Sequence, residues 1–167
     1  MIASTTAQNF KLVQAHLAGA VTIITTCDAD GYPWGFTATS FCSLSLDPPL
    51  VLFCLDASAD CAHAFINGYH FAVNILSDQQ RDLSRLFATK GNGKYQSVEF
   101  TPGLTGAPLL PGCLAYLECS IYAIHPGGDH HIIVGLVQHG QTDLPGHGVR
   151  PLLYYTRAYG TFTECGG

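Results

Sequence analysis

Charge is scarce in this chain. Only 11% of its 167 residues are Asp, Glu, Lys or Arg, while 47% are hydrophobic. Soluble domains carry about 25% charged residues. So few charges cannot cover a small monomer, so part of the apolar surface is expected under a partner subunit or a ligand. Cations are rarest of all, seven Lys and Arg against twelve Asp and Glu, for a net charge of −5. They are scattered along the sequence, and only Arg81 and Arg85 fall near each other in a helical reading. Binding to a phosphate backbone needs clustered cations, so no nucleic-acid partner is expected. No apolar run approaches the roughly 18 residues of a membrane span. Residues 1–11 lack the basic start and apolar centre of a secretory leader, so a cytoplasmic protein without a membrane partner is expected.

Other signatures are missing too. There is no Cys-x-x-Cys, and the seven cysteines, at 27, 42, 54, 61, 113, 119 and 165, are odd in number. Several lie in apolar, strand-like runs, which reads as buried reduced thiols and not as a disulfide framework. No Gly-x-Gly-x-x-Gly opens a helix, so a Rossmann site is not indicated. Gly-x-Ser-x-Gly and the phosphate-binding Gly-x-x-x-x-Gly-Lys-Ser/Thr are absent as well.

What is present is organised around residues 31–55. A turn leads into a strand of small and hydroxyl residues, the chain breaks at Asp47, Pro48 and Pro49, and a wholly apolar run follows. The prolines have no N–H and must lie in a connection. Thr37, Thr39, Ser40, Ser43 and Ser45 are expected close together, hydroxyls without one charge among them. They form either a surface for a polar ligand or a solvent-facing Ser/Thr edge.

The remaining chain reads as many strands and few helices. A helix is expected over 6–17, capped by Thr5 or Thr6 and carrying Phe10, Val13 and Leu17. Strands 20–26 and 34–43 form a hairpin about the 28–31 turn. Residues 50–55 read as a strand buried on both faces. Ser58 caps a short helix within 56–66, 71–76 is a strand, and 78–88 is a helix with Leu83, Leu86 and Phe87 as its apolar stripe. The Gly- and Pro-rich segment 89–111 reads as a mobile loop. Strands 113–124 and 131–137 flank a tight turn at 126–129. A polar loop, 142–149, leads to short strands at 151–155 and 159–163. The fold class is mainly β, a barrel with two or three flanking helices, in a single domain over 1–167 with its core at about 10–163.

Three places could hold chemistry. The hydroxyl stretch is one. Arg81 and Arg85 are the second: four apart, they share a helix face and repel unless an anion lies between them. The alternative pairs Asp78 with Arg81 and Asp82 with Arg85. The third is Gly127-Gly128-Asp129-His130-His131, where two glycines allow close approach to a ligand and a histidine can donate or accept near neutral pH. A metal site at His130, His131 and His139 is disfavoured, since neighbouring strand residues point to opposite faces and no further ligands stand at regular spacing.

The residues together resemble a family. They are 18–26 (AGAVTIITT), 30–33 (DGYP), 35–41 (GFTATSF), 43–51 (SLSLDPPLV), 71–76 (FAVNIL), 80–84 (QRDLS), 87–88 (FA), 128–130 (GDH) and 151–155 (PLLYY). The chain resembles the flavin reductase-like proteins of the FMN-binding split-barrel fold, reductase components of two-component flavin-dependent monooxygenases. The resemblance implies a split β-barrel and a homodimer with flavin near its seam. It implies hydride transfer from NADH or NADPH to FMN or FAD, and delivery of reduced flavin to a partner monooxygenase. It places the flavin against Thr37, Ala38, Thr39, Ser40, Phe41 and Ser45 and against Asp56, Ala57 and Ser58. Asn74, Arg81 and Ser84 would lie near the ribityl-phosphate end, and His130, as the catalytic residue, beside the nicotinamide. No metal is implied. The alternative on the same fold is a protein that holds FMN for electron transfer, or binds flavin or haem, without free-flavin turnover. Leu136 stands where many members carry Glu, and Lys11 where Arg is common.

Overall fold

A computed structural model describes residues 6–91, 93–142 and 149–164. The chain is mainly β with three helices. In order they are α1 (Ala7–Gln14), β1 (Gly19–Ala20), β2 (Thr22–Cys27), β3 (Pro33–Ala38), β4 (Cys42–Leu46), β5 (Pro49–Asp56), α2 (Ala62–Ile66), β6 (His70–Ile75) and α3 (Arg81–Phe87), which a 3-10 turn at Asp78–Gln80 precedes. Then come β7 (Thr101–Pro102), β8 (Pro108–Leu109), β9 (Ala115–Gly127), β10 (His130–Thr142), β11 (Leu152–Tyr155) and β12 (Ala158–Thr161). Thr5, Cys165 and most of the expected polar loop at 142–149 lie outside the described residues.

The main sheet has seven antiparallel strands in the order β3-β2-β6-β9-β10-β5-β4. Its two edges, β3 and β4, are joined by only Thr39, Ser40 and Phe41. A flat sheet of this width would hold its edges about 29 Å apart, at ~4.8 Å per strand. The link from Ala38 to Cys42 can span at most about 14 Å. The sheet must therefore curl until its edges approach, which makes it a barrel. Ser40 fastens the link: its hydroxyl accepts from the Cys54 N–H at 3.1 Å and donates to the Cys54 carbonyl at 3.2 Å.

Two apolar clusters fill the molecule. One, inside the barrel, contains Ile24, Phe53, Phe65, Phe71 and Ile133. The other contains Val21, Ile23, Leu76, Phe87, Leu110 and Leu152, between the sheet and the helix α3 side. Both clusters draw on β2, whose first five residues are all buried. Its threonines tolerate this because each hydroxyl donates to a carbonyl: Thr22 to Ala38 at 3.0 Å, Thr25 to Pro108 at 2.6 Å, Thr26 to His70 at 2.7 Å.

Here several expectations change. The doubly buried strand is β2. In β5 only Val51, Phe53 and Leu55 are buried, and the residues between face outward half-covered. The strand expected over 34–43 is two strands on opposite edges. Ser58 does not cap α2; it closes a turn with the Asp56 carboxylate, which accepts from its N–H and its hydroxyl, both at 2.8 Å. Segment 89–111 is fastened, not loose. The Tyr95 hydroxyl donates to the Trp34 carbonyl (3.1 Å), and the Leu110 N–H donates to Asn74 Oδ1 (2.8 Å). Of the thiols, Cys61, Cys113 and Cys119 are buried, whereas Cys42 is exposed.

Candidate functional site

The 39–41 link leaves a gap at the edge of β3, and two adjoining clefts open there. The larger, about 700 Å³, is lined by Val21, Thr37, Thr39, Arg81, Arg85, Ala88, Tyr154, Arg157, Ala158 and Tyr159. The smaller, about 280 Å³, includes Trp34, Phe36, Asp56, Ser58, Asp60, Cys61, Lys90 and Lys94. Thr37 and Ala88 line both, so the two form one continuous trough. Five of the seven cations that are scattered in sequence are gathered in space: Arg81, Arg85 and Arg157 on one side, Lys90 and Lys94 on the other. In a chain of net charge −5 this concentrates positive potential where an anionic ligand would sit.

The polar corner of the smaller cleft is held by strand pairing. His130 of β10 lies opposite Asp56 of β5, and the Ala57 N–H donates to the Asp129 carbonyl at 3.0 Å. Gly128, at φ 75°, makes the turn that brings Asp129 and His130 there. Ser58 donates to the Asp56 carboxylate from N–H and hydroxyl, which holds its carboxyl below the usual range; the His130 imidazole adds a smaller push the same way. His130 Nδ1 is 2.7 Å from Asp129 Oδ1. A carboxylate only accepts, so Nδ1 carries the proton and Nε2 is left for a second partner.

The sequence-derived site residues divide into two groups. Thr37, Thr39, Arg81, Asp56 and Ser58 line the trough. Among them only Thr39 keeps a hydroxyl with no partner among the described residues; the Thr37 hydroxyl donates to the Ser84 carbonyl at 2.7 Å. Thr39, Ser40 and Phe41 also line a hollow beside α1. Ala38 points into the barrel core and offers only its backbone. Three residues need correction. Asn74 is fully buried, with Nδ2 donating to the Ile23 carbonyl and to the Thr25 hydroxyl and Oδ1 accepting from Leu110. It anchors the 110 segment and lines neither cleft. Ser84 is likewise buried, its hydroxyl 2.9 Å from that of Tyr159. Ser45 pairs with Leu50 beside the β4–β5 turn and lines neither cleft. The five hydroxyls thus do not form one surface. Of the two alternatives for the helix, Asp82 and Arg85 do pair, at 3.3 Å, yet both remain exposed, and Arg81 has no carboxylate partner among the described residues.

Sequence reasoning missed Arg157, Tyr154, Tyr159, Lys90 and Lys94. The scarcity of cations was the available signal, since each one then needs a reason. It also missed Glu118, which is 2% exposed. Burial pushes its carboxyl up, but hydrogen bonds from the Thr105 N–H, the Thr105 hydroxyl and the Leu104 N–H outweigh that and leave it lowered. Cys61, beneath the smaller cleft, is pushed by burial to about 11, and Cys119 to about 12. Both remain thiols near neutral pH, so neither serves as a nucleophile. The trough therefore lacks a strong acid–base pair. It has room, walls whose carboxylates, Asp56 and Asp60, lie in the smaller cleft, and a fringe of cations, which fits a flat redox ring carrying a phosphate.

Residues 14–163 match the family described as flavin reductase like domain. The reductase subunit HsaB of a flavin-dependent monooxygenase from Mycobacterium tuberculosis is 36% identical over 152 residues, 91% of this chain and 80% of that protein. The reductase component of the flavin-dependent trigonelline monooxygenase of Acinetobacter baylyi is 38% identical over 141 residues. That match covers 84% of this chain but only 44% of the relative, so the chain spans less than half of it. Among solved structures, the NADH:FAD oxidoreductase of Streptomyces globisporus, in complex with NAD and FAD fragments, has a TM-score of 0.87 at 30% identity, covering 98% of this chain and 96% of that one.

Proposed function

The chain belongs to the flavin reductase like domain family, with the split-barrel fold, and from that premise we propose how its trough works. The protein is an NAD(P)H:flavin oxidoreductase that supplies reduced flavin to a partner monooxygenase. Bound together, the two cofactors supply the reactivity, with hydride passing from nicotinamide C4 to flavin N5. The protein orients them. Thr37 and Ala88, at the junction of the two clefts, would hold the isoalloxazine, with the Thr39 hydroxyl and the backbone of Ala38, Ser40 and Phe41 available to its polar edge. Asp56, Ala57 and Ser58 close the other side. The Thr39 hydroxyl would stabilise negative charge growing on the pyrimidine edge. Arg81 faces the phosphate end. His130, its ring fixed by Asp129, holds the nicotinamide through Nε2 and transfers no proton.

The observation that carries this reading is the shared trough, along which five of the chain's seven cations lie, against two carboxylates, Asp56 and Asp60. A homodimer is part of the proposal. Helix α1 buries none of its residues, and Val13 and Leu17 are 72% and 73% exposed. A second copy would cover that face and wall the hollow beside Thr39. No described helix is long and apolar enough to cross a membrane, and the free thiols suit a reducing cytoplasm. The test is a steady-state matrix of NADH and NADPH against riboflavin, FMN and FAD. Nicotinamide oxidation that depends on added flavin is expected. No turnover with either nicotinamide defeats the reading, and flavin retained through gel filtration without free-flavin turnover selects the electron-transfer alternative.

A further inference from the structure

We propose that Arg157, with Arg81 and Arg85, forms a clamp for a nucleotide phosphate in the larger cleft, and that Arg157 sets the preference for phosphorylated over unphosphorylated substrate. The proposal rests on the reductase reading, since it names what that trough selects.

Three guanidiniums line one cleft, and no Asp or Glu is among its lining residues. Arg81 and Arg85 lie four apart on α3 and repel each other. The Asp82 partner of Arg85 is 94% exposed, so water screens that pair and leaves the cleft strongly positive. A dianionic phosphate ester relieves this repulsion, and guanidinium groups match its geometry with paired donors.

The backbone at Arg157 supports the assignment. Thr156 and Arg157 have φ of 46° and 64°, the two described non-glycine residues in the left-handed region. A two-residue hairpin turn of this kind usually takes Asn-Gly, and bulky or branched residues there hold strain, which commonly marks a functional position. The turn is locked at both sides. Tyr155 pairs with Ala158 across the hairpin, and the Thr156 N–H donates to the Ala15 carbonyl at 2.7 Å. Arg157 thus projects from a rigid mount. The strands of the same hairpin are equally fixed against α3: the Tyr159 hydroxyl meets Ser84 at 2.9 Å, its ring lies 5.8 Å from the Arg85 guanidinium carbon, and Tyr154 packs edge-on against it at 5.2 Å. The buried Ser84 hydroxyl is therefore a positioning group for this hairpin.

The phosphate could belong to the flavin or to the nicotinamide nucleotide, and the assay separates them. Arg157→Gly removes the guanidinium and suits the backbone, so the fold should persist; Arg157→Lys keeps charge but loses the paired donors. With NADH saturating, the ratio of KM for FMN to KM for riboflavin should rise about tenfold in Arg157→Gly if the flavin phosphate is the occupant, with partial recovery in Arg157→Lys. If the nicotinamide nucleotide is the occupant, KM for NADH or NADPH rises instead, measured with saturating riboflavin. A binding readout needs no turnover: inorganic pyrophosphate should raise the Tm of the unmodified protein and of an Arg150→Ala control, and fail to raise that of Arg157→Gly. An unchanged pyrophosphate shift in Arg157→Gly, or KM rising equally for riboflavin and FMN without a nicotinamide effect, overturns the clamp. Absence of turnover with every flavin, with the pyrophosphate shift present and lost in the variant, overturns the reductase reading and leaves the clamp standing.

Discussion

Asn74 and Thr39 are both uncharged polar residues of the barrel, and both match the family's flavin contacts in sequence. They do opposite work. Asn74 sits at the centre of the sheet, where β6 runs between β2 and β9, and its amide is fully spent on Ile23, Thr25 and Leu110. Thr39 sits in the three-residue link between the sheet edges, exposed, with its hydroxyl unclaimed among the described residues. In the sheet interior a polar group must be satisfied internally or destabilise the fold. At the edge, the curl of the sheet leaves backbone and hydroxyls facing a gap, and those are the groups a ligand can use. Exposure and free hydrogen-bonding capacity separate ligand residues from scaffold residues where residue type does not.

The sharpest way to break that contrast is to delete the interior group. Asn74→Ala orphans a buried N–H and loses three bonds, so we expect a loss of about 3 kcal/mol of stability by urea unfolding. Flavin affinity of the folded fraction should be unchanged; a selective loss of flavin binding at unaltered stability would return Asn74 to the site. Next in size is His130→Ala, expected to raise the nicotinamide KM about tenfold, ~1.4 kcal/mol, with less effect on flavin titration. Equal loss of both would contradict its role. Two threonines two positions apart then sharpen the comparison. Thr37→Val should cost about 1 kcal/mol of stability through the lost bond to Ser84, whereas Thr39→Val should leave stability alone and raise the flavin KM about threefold.

The smallest effect is a pH dependence in the interior. The lowered carboxyl of Glu118 means that its bonds to the 104–105 backbone contribute stability above the unfolded glutamate value, about 4.3. That contribution is lost as pH falls through the folded value. Urea midpoints measured from about pH 7 down to about pH 3 should fall less steeply in Glu118→Gln than in the unmodified chain. Parallel slopes would show that the carboxylate does not latch this loop.

Much of this was legible in the residues. The Asp47-Pro48-Pro49 break marks the β4–β5 turn, Gly128 marks the β9–β10 hairpin, and the helix beginning after Ser77 follows from its capping residues and apolar stripe. The Gly-Asp-His turn pointed to the corner where His130 meets Asp56. Less legible was which of two polar, strand-forming stretches lies inside. The residues of β2, Thr22–Cys27, read only as a β-branched strand with no face assigned, yet its threonines are buried because carbonyls of β3, β6 and the 108 segment meet their hydroxyls. Pairing between residues sixteen to eighty-three positions apart leaves no local trace.

By itself the sequence determined most of the long strands, the main turns and the family, because these depend on local backbone chemistry and on strings of residues that survive as strings. The tertiary structure alone decided which polar residues line the trough. It also brought Arg157 from the last hairpin beside Arg81 and Arg85 on α3, since charge concentrates only when a closed sheet folds distant segments onto one gap.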